Sequence, residues 1–295
     1  MQDVIETSTR SISVAHPDFN LVLTRLRPTD GEAVIAALND PRVYMNLFGP
    51  PYPYTQADWQ EWYSSNSAAS NEAWEELEST REWLKTTSNP SEDWKEKKWV
   101  GRRQWNSTIR HVTESADDRD EKFIGDVSIA RSGFLHVLDP QEREKQKTEN
   151  EEREAGDPAI VWEVGCKCIE RFTNFIHLQL YRSVQSSRNN RSKISAHRAT
   201  VHLVAEYHAR GVMVAVLRTL MTEIAVPYMN VHILIGTYFE HNRASRRVFE
   251  KCGFTHVTTV PDAIEINPAK IGGAEGHKVG LGLTKWARGD PMFNL

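Results

Sequence analysis

The chain is poor in cysteine, in net charge and in long apolar runs. Only Cys166, Cys168 and Cys252 occur in 295 residues. A set so sparse and odd in number argues against a disulfide framework and for a reducing compartment. The formal net charge is -4 and the pI is near 6.3. No global field therefore draws the chain to nucleic acid or to a membrane surface. No uninterrupted apolar run reaches the roughly 20 residues that cross a bilayer. The opening, Met1 to Glu6, lacks the basic segment and apolar core of a signal peptide. These absences predict a cytoplasmic or nucleocytoplasmic protein, with no specific nucleic-acid or membrane partner. No internal repeat of fixed period is present.

What is present suits a soluble α/β chain. Hydrophobic residues make up 39% and charged residues 26%, a balance that fits a globular domain carrying polar insertions. Met1 to Phe19 has no clear period and reads as a flexible lead-in. Residues 20–290 read as a single domain, with insertions near 86–98, 139–157 and 166–200. Asn20 to Arg27 alternates as a first strand, and Asp30 with Glu32 opens a helix over Gly31 to Leu38. Arg42 to Asn46 begins a short second helix. Gly49 to Tyr54 is a rigid aromatic loop, after which Thr55 caps a helix with Trp59, Trp62 and Tyr63. Asn71 to Lys85 carries a helical stripe of Trp74, Leu77, Trp83 and Leu84, which favours core packing over an aromatic substrate wall.

Further along, Trp99 to Val112 and Phe123 to Arg131 pair as an antiparallel hairpin across an acidic turn. Asp139 to Asp157 is a run of alternating charge, a solvated loop or exposed helix to which no chemistry is assigned. Ala159 to Gly165 is a strand. Cys166 to Thr200 is rich in Arg, Ser and Asn, and its later half has neither period nor turn logic. Cys166-Lys167-Cys168 lacks a second Cys/His pair at metal-site spacing, so no metal is expected. Val201 to Val204 is a short strand and Gly211 to Ala225 a helix. Val231 to Tyr238, Thr255 to Val260 and His277 to Ala287 are strands, with a helix over Arg243 to Lys251.

Chemistry concentrates between His208 and Phe254. Gly211 opens a helix whose first amides have no helical partner, and the helix dipole adds partial positive charge there. With Arg210 beside it, this reads as a candidate pyrophosphate site, an ordinary turn ahead of a helix being the other reading. Several blocks then carry a resemblance. They are Arg25-Leu26-Arg27-Pro28, Asn39-Asp40-Pro41, Phe123-Ile124-Gly125-Asp126-Val127, Glu163-Val164-Gly165 and Tyr207-His208-Ala209-Arg210-Gly211. The most specific runs from Asn242 to Phe254, Asn-Arg-Ala-Ser-Arg-Arg-Val-Phe-Glu-Lys-Cys-Gly-Phe. Together they resemble the GCN5-related N-acetyltransferase family, in the branch of ribosomal-protein N-terminal acetyltransferases.

That resemblance implies a mixed central sheet with splayed parallel strands flanked by helices, the acyl-CoA N-acyltransferase fold. It implies acetyl-CoA as co-substrate, no metal, and an amine acceptor, either a protein N-terminus or a small molecule, on a monomer or homodimer. Carried over by position, Arg210, Gly211, Val212, Met213 and Val214 hold the pyrophosphate and Asn242 the pantetheine arm. Ser245 lies near the thioester. Glu163 takes the place of the acid that deprotonates the amine, although a carboxylate capping a strand bulge is an equal reading of it. Departures are Ala209 for a frequent Gly, Met213 for Gly or Ala, Val214 for Thr, and Phe249 for the Tyr that protonates the leaving thiolate. Ser245 or water must replace that phenol. The alternative reading is a catalytically silent acyl-CoA-binding or interaction protein that keeps the fold.

Neutralising a lysine at pH 7 costs roughly 4–5 kcal/mol and an α-amine about 1–1.5 kcal/mol. A site with so few bases favours the α-amine or a small amine of low pKa. In the family the strand of Glu163 runs directly into the phosphate loop, so Cys166 to Thr200 reads as an inserted or mis-spliced segment.

Overall fold

The computed structural model describes residues 11–87, 93–114, 119–164, 202–273 and 276–289. The segment Cys166 to Thr200, its Cys-Lys-Cys triplet included, lies outside the described residues. Among those described are nine strands: β1 (Ile12–Val14), β2 (Leu21–Thr24), β3 (Trp105–Glu114), β4 (Arg119–Arg131), β5 (Val161–Val164), β6 (His202–Leu203), β7 (Ile233–Phe239), β8 (Thr255–Glu265) and β9 (Lys278–Ala287). They form one sheet in the order β1-β2-β3-β4-β5-β7-β9-β8, with β6 also on β4. Every pairing is antiparallel except β5 with β7. The helices are α1 (Gly31–Asn39), α2 (Pro41–Tyr44), α3 (Gln56–Thr86), α4 (Pro140–Glu151), α5 (Val212–Leu220), α6 (Val226–Met229) and α7 (Arg243–Lys251). This is the mixed, helix-flanked sheet that the resemblance implies.

Several local readings change. Ile12–Val14 pairs with Leu21–Leu23, so part of the expected lead-in is an edge strand. Its side chains Ile12 and Val14 are buried in the main core, which offsets the cost of ordering them. The two helical segments expected at Thr55 and at Asn71 are one 31-residue helix, α3, opened by a capping box between Thr55 and Asp58. Its Trp74 and Leu77 are core residues, and Trp74 Nε1 donates to the Asn106 carbonyl at 3.1 Å. The charged run 139–157 contains α4, mostly exposed, whose one buried residue is Asn150. That side chain exchanges two hydrogen bonds with the backbone of Val161, each 2.9 Å, and so fixes the start of β5. The apolar run Val212–Met229 has a mean hydropathy of 1.4 because one side of it faces the core.

The register around β4 carries the main finding. Partners in β4 and β5 sum to 293 in residue number, as in Ile129 with Val164. Partners in β4 and β6 sum to 328, as in Asp126 with His202. Against β3, β4 is regular from Gly125 to Ile129, so the difference of 35 is not an irregularity of β4. β6 therefore continues β5 along the same edge of β4 with 35 residues of sequence to spare. Gly125 is required there, since a Cβ on it would stand 2.1 Å from the His202 carbonyl oxygen.

Beneath α1 lies a buried ion pair. Arg110 donates to Asp30 at 2.9 Å and to the Thr24 hydroxyl at 2.8 Å. Asp30 Oδ2 also accepts from the Arg27 amide at 2.8 Å. Removing one partner strands the other charge away from water. Asp30→Ala is expected to cost roughly 3–5 kcal/mol in urea unfolding, and Arg110→Met in the same background to recover part of that loss. A loss under about 1 kcal/mol, the worth of an exposed pair, contradicts the account.

Candidate functional site

In sheets of this kind ligands collect beyond the carboxyl ends of parallel strands, where neighbours turn apart. Here the parallel ladder ends at Val164 with Gly236. Beyond it β7 stays with β9 as far as Phe239, while β6 stays with β4. Among the described residues no ladder joins β6 to β7, so the two lines of chain part at that point. Each then leads to a helix start, α5 after β6 and α7 after β7.

The α5 start has an open form. Gly211 is its N-cap with φ 81, and Ala209 sits at φ 59. The left-handed conformation is free for glycine and costs an alanine roughly 1–2 kcal/mol. Ala215 N donates to Gly211 O at 3.1 Å, which leaves the amides of Val212, Met213 and Val214 at the uncapped first turn. A Cβ on Gly211 would meet only His16 Nε2, at 3.6 Å. The loop is braced from the N-terminal side. His16 Nε2 meets the Arg210 carbonyl at 2.9 Å, and the Asp18 amide donates to His16 Nδ1 at 3.1 Å. A carbonyl only accepts, so His16 carries its proton on Nε2. Phe19 packs on Tyr207 and His111, and the Arg210 guanidinium lies 5.8 Å over the Phe19 ring.

The α7 start is closed by Asn242, whose Oδ1 accepts from the Ser245 amide at 3.0 Å. The cap uses the carbonyl end of that side chain and leaves its amide end as the donor. Ser245, at the third helical position, is half-buried. The far end of α7 explains Cys-Gly-Phe. Gly253 is left-handed at φ 83, Gly253 N donates to Glu250 O, and Phe254 N to Phe249 O at 3.0 Å. This is a Schellman closure, with Phe254 packed on Phe249 at 5.1 Å. Phe249 in turn covers Gly236, where a Cβ would lie 2.3 Å from the ring. Tyr238, 6.3 Å from Phe249, lies over Gly282 and meets His256 Nδ1 at 3.2 Å. Its hydroxyl therefore sits on the β9 side, away from β5. Burial raises its pKa.

Glu163 stands on the opposite face of the sheet from Phe249, one residue before the end of the parallel ladder. It is 2% exposed. Ser132 Oγ donates to Oε2 at 3.0 Å and Thr237 Oγ1 to Oε1 at 2.9 Å. The Ser132 hydroxyl also accepts from the Phe134 amide at 3.0 Å. Sequence reasoning missed both hydroxyls, because residues 31 and 74 positions from Glu163 leave no local signal. It also missed a buried pair further along the same face, His202 Nδ1 with Asp126 Oδ1 at 3.2 Å. The structure thus sets Glu163 with Thr237, and Asn242 with Ser245. Residues 210–214 form a separate group at the second helix start.

No family model and no curated protein matches the sequence. Solved structures are similar at low identity. A ribosomal-protein-S5-alanine acetyltransferase from Vibrio fischeri is 12% identical, with 97% of this chain and 99% of that one covered and a TM-score of 0.45. Mycobacterium smegmatis RimJ in complex with CoA-disulfide is 11% identical, covering 94% and 87%, with a TM-score of 0.48. A spermidine N-acetyltransferase from Vibrio cholerae in complex with CoA and spermine is 11% identical, covering 91% and 95%, with a TM-score of 0.45.

Two expectations follow from the local geometry. Ala209→Gly relieves the left-handed alanine and should raise unfolding free energy by roughly 0.5–1 kcal/mol after the added freedom of the unfolded chain is subtracted. A destabilised variant would mean that Ala209 does not hold this conformation. The Cys252 thiol is pushed up to about 11 by burial, and its Sγ donates to the Val214 carbonyl at 3.7 Å. In a Cys166→Ser/Cys168→Ser background, Cys252 should resist a thiol reagent at pH 8 until the chain unfolds. A thiol with the usual pKa near 8.5 would react readily.

Proposed function

We propose that the chain binds acetyl-CoA and transfers its acetyl group to a primary amine, as an N-acetyltransferase of the GCN5-related kind. One observation carries the reading. Two helix starts, one opened by Gly211 and one capped by Asn242, stand beyond the parting ends of the parallel pair. The first turn of α5 fits a pyrophosphate, because its amides are unpartnered in the helix and Gly211 keeps the approach open. Arg210 supplies a counter-charge, and the Asn242 amide end suits the carbonyls of a pantetheine arm.

Acetyl-CoA supplies an activated thioester, and the chain's task is to orient an amine against it and to move protons. The amine nitrogen bonds to the thioester carbon as the carbon–sulfur bond breaks. The proton lost by nitrogen goes to Glu163, and the sulfur gains one from the Ser245 hydroxyl or from water. Glu163 is too enclosed to meet an acceptor directly. Thr237 donates to its carboxylate and keeps lone pairs for an incoming donor, so it serves as the relay and Ser132 as the anchor. With one carboxylate as base, an α-amine at a protein N-terminus, or a small amine of low pKa, is the favoured acceptor.

Calorimetry with acetyl-CoA and a thiol-release assay over an amine panel test this. Binding is expected to weaken at least about tenfold in Gly211→Val, since a β-branched residue cannot hold that conformation at the helix mouth. Glu163→Gln should lower kcat about 100-fold or more with acetyl-CoA binding kept. Thr237→Val should lower kcat with KM for acetyl-CoA unchanged, and Thr237→Ser should restore it. Binding without turnover on any amine would leave the silent acyl-CoA-binding reading. No binding of any acyl-CoA would sink both.

A further inference from the structure

We infer that β5 and β6 are the two halves of one strand and that residues 166–200 are a removable insertion. The chain without them is expected to keep both the sheet and the α5 loop. The strand half of this inference rests on the register alone, and the ligand half rests on the function proposed above.

The register on β4 sets the length of the surplus, and the side-chain faces agree with it. The offset between the two registers on β4 is 35 residues. A regular strand from Val164 to His202 needs only two residues, opposite Ser128 and Val127, and 37 lie between them. Side-chain faces fit the same count. Removing 35 residues places His202 four strand positions after Glu163 and therefore on its face, since faces alternate with period two. Consistently, the β4 partners Ala130 and Asp126 are also four apart, and His202 meets Asp126. Leu203 then falls on the face of Val164, and both belong to the main core with Val212.

The seat of β6 is also built into β4 itself. Gly125 makes room for the His202 carbonyl, and beyond it Val204 N donates to Ile124 O at 2.8 Å. The turn into α5 follows at once, with Tyr207 N on Val204 O at 3.0 Å and His208 Nε2 on Leu203 O at 3.0 Å. The second half-strand thus holds the loop in place through β4, using contacts that involve no residue of 166–200.

Three deletions separate this from a general tolerance of shortening. Removing 166–200 restores the alternation of faces, whereas removing 166–199 or 166–201 moves His202 and Leu203 to the opposite faces. The 35-residue deletion is expected to unfold cooperatively with a Tm at or above that of the full chain. Its Kd for acetyl-CoA by calorimetry should be unchanged or smaller. The deletions of 34 and 36 residues are expected to lose Tm or cooperativity. A 35-residue deletion no more stable than its two neighbours, or one that fails to fold while the full chain folds, overturns the inference. So does a folded deletion that loses the acetyl-CoA binding of the full chain. A deletion that folds with full Tm, when neither form binds acetyl-CoA, upholds the strand and refutes the proposed function instead.

Discussion

The architecture depends on four residues of parallel pairing, Val161–Val164 against Ile233–Gly236. Parallel neighbours must be followed by crossovers, and both crossovers here begin as helices at the same end of the sheet. Had the ladder run on, the amides beyond Val164 and Gly236 would have been spent on each other. Instead β6 turns its hydrogen bonds to β4 and β7 turns its own to β9. The gap therefore opens without orphaning the interior strands on their other edges, which is the condition for a gap inside a sheet to persist.

Each helix at that gap starts differently, and chemistry follows from the difference. Asn242 closes the first turn of α7 with its own side chain. Gly211 has no side chain, so the first turn of α5 remains a donor site. The far end of α7 is equally constrained. The closure by Gly253 brings Phe254 onto Phe249, and Phe249 onto Gly236, which must be glycine for the ring to fit. A phenol at 249 would bring a hydroxyl to this packed wedge. The chain has a bare ring there, and the hydroxyl that this helix does carry, that of Ser245, lies in its first turn at the opposite end.

Much of this was legible in the sequence because it is local. The helix start at Thr55, the hairpin of β3 and β4, and the Asn242 to Phe254 block are written in caps, alternation and turn residues a few positions apart. Asp30, by contrast, makes no side-chain cap to α1 and turns to the Arg27 amide and Arg110 instead. What was missed is held by distant partners. Ile12–Val14 has no period of its own and becomes a strand only because β2 presents an edge and the core takes two of its side chains. The polar middle of α3 weakens the apolar stripe, so the sequence suggested two helices where packing on β3 maintains one. Arg110 with Asp30, and Thr237 with Glu163, join residues 80 and 74 positions apart. Burial decides those pairs, and no spacing rule shows it.

The place of the interruption has its own physical logic. An insertion within a strand breaks ladder bonds on both sides, except where one neighbour has already left. Beyond Val164 the partner β7 has parted, so the break disturbs pairing on the β4 side alone. Joining β5 to β6 through 37 residues costs about 3 kcal/mol of chain entropy beyond a constant, and contacts made by β6 must offset it. β6 supplies them compactly. Leu203 enters the main core, the His202 carbonyl occupies the space over Gly125, and Val204 returns to the Ile124 carbonyl. A split at any earlier point of β5 would have divided the parallel ladder itself, and with it the geometry that sets Glu163 beside Thr237. The same parting of strands beyond Val164 is thus what lets this chain carry a long interruption beside it.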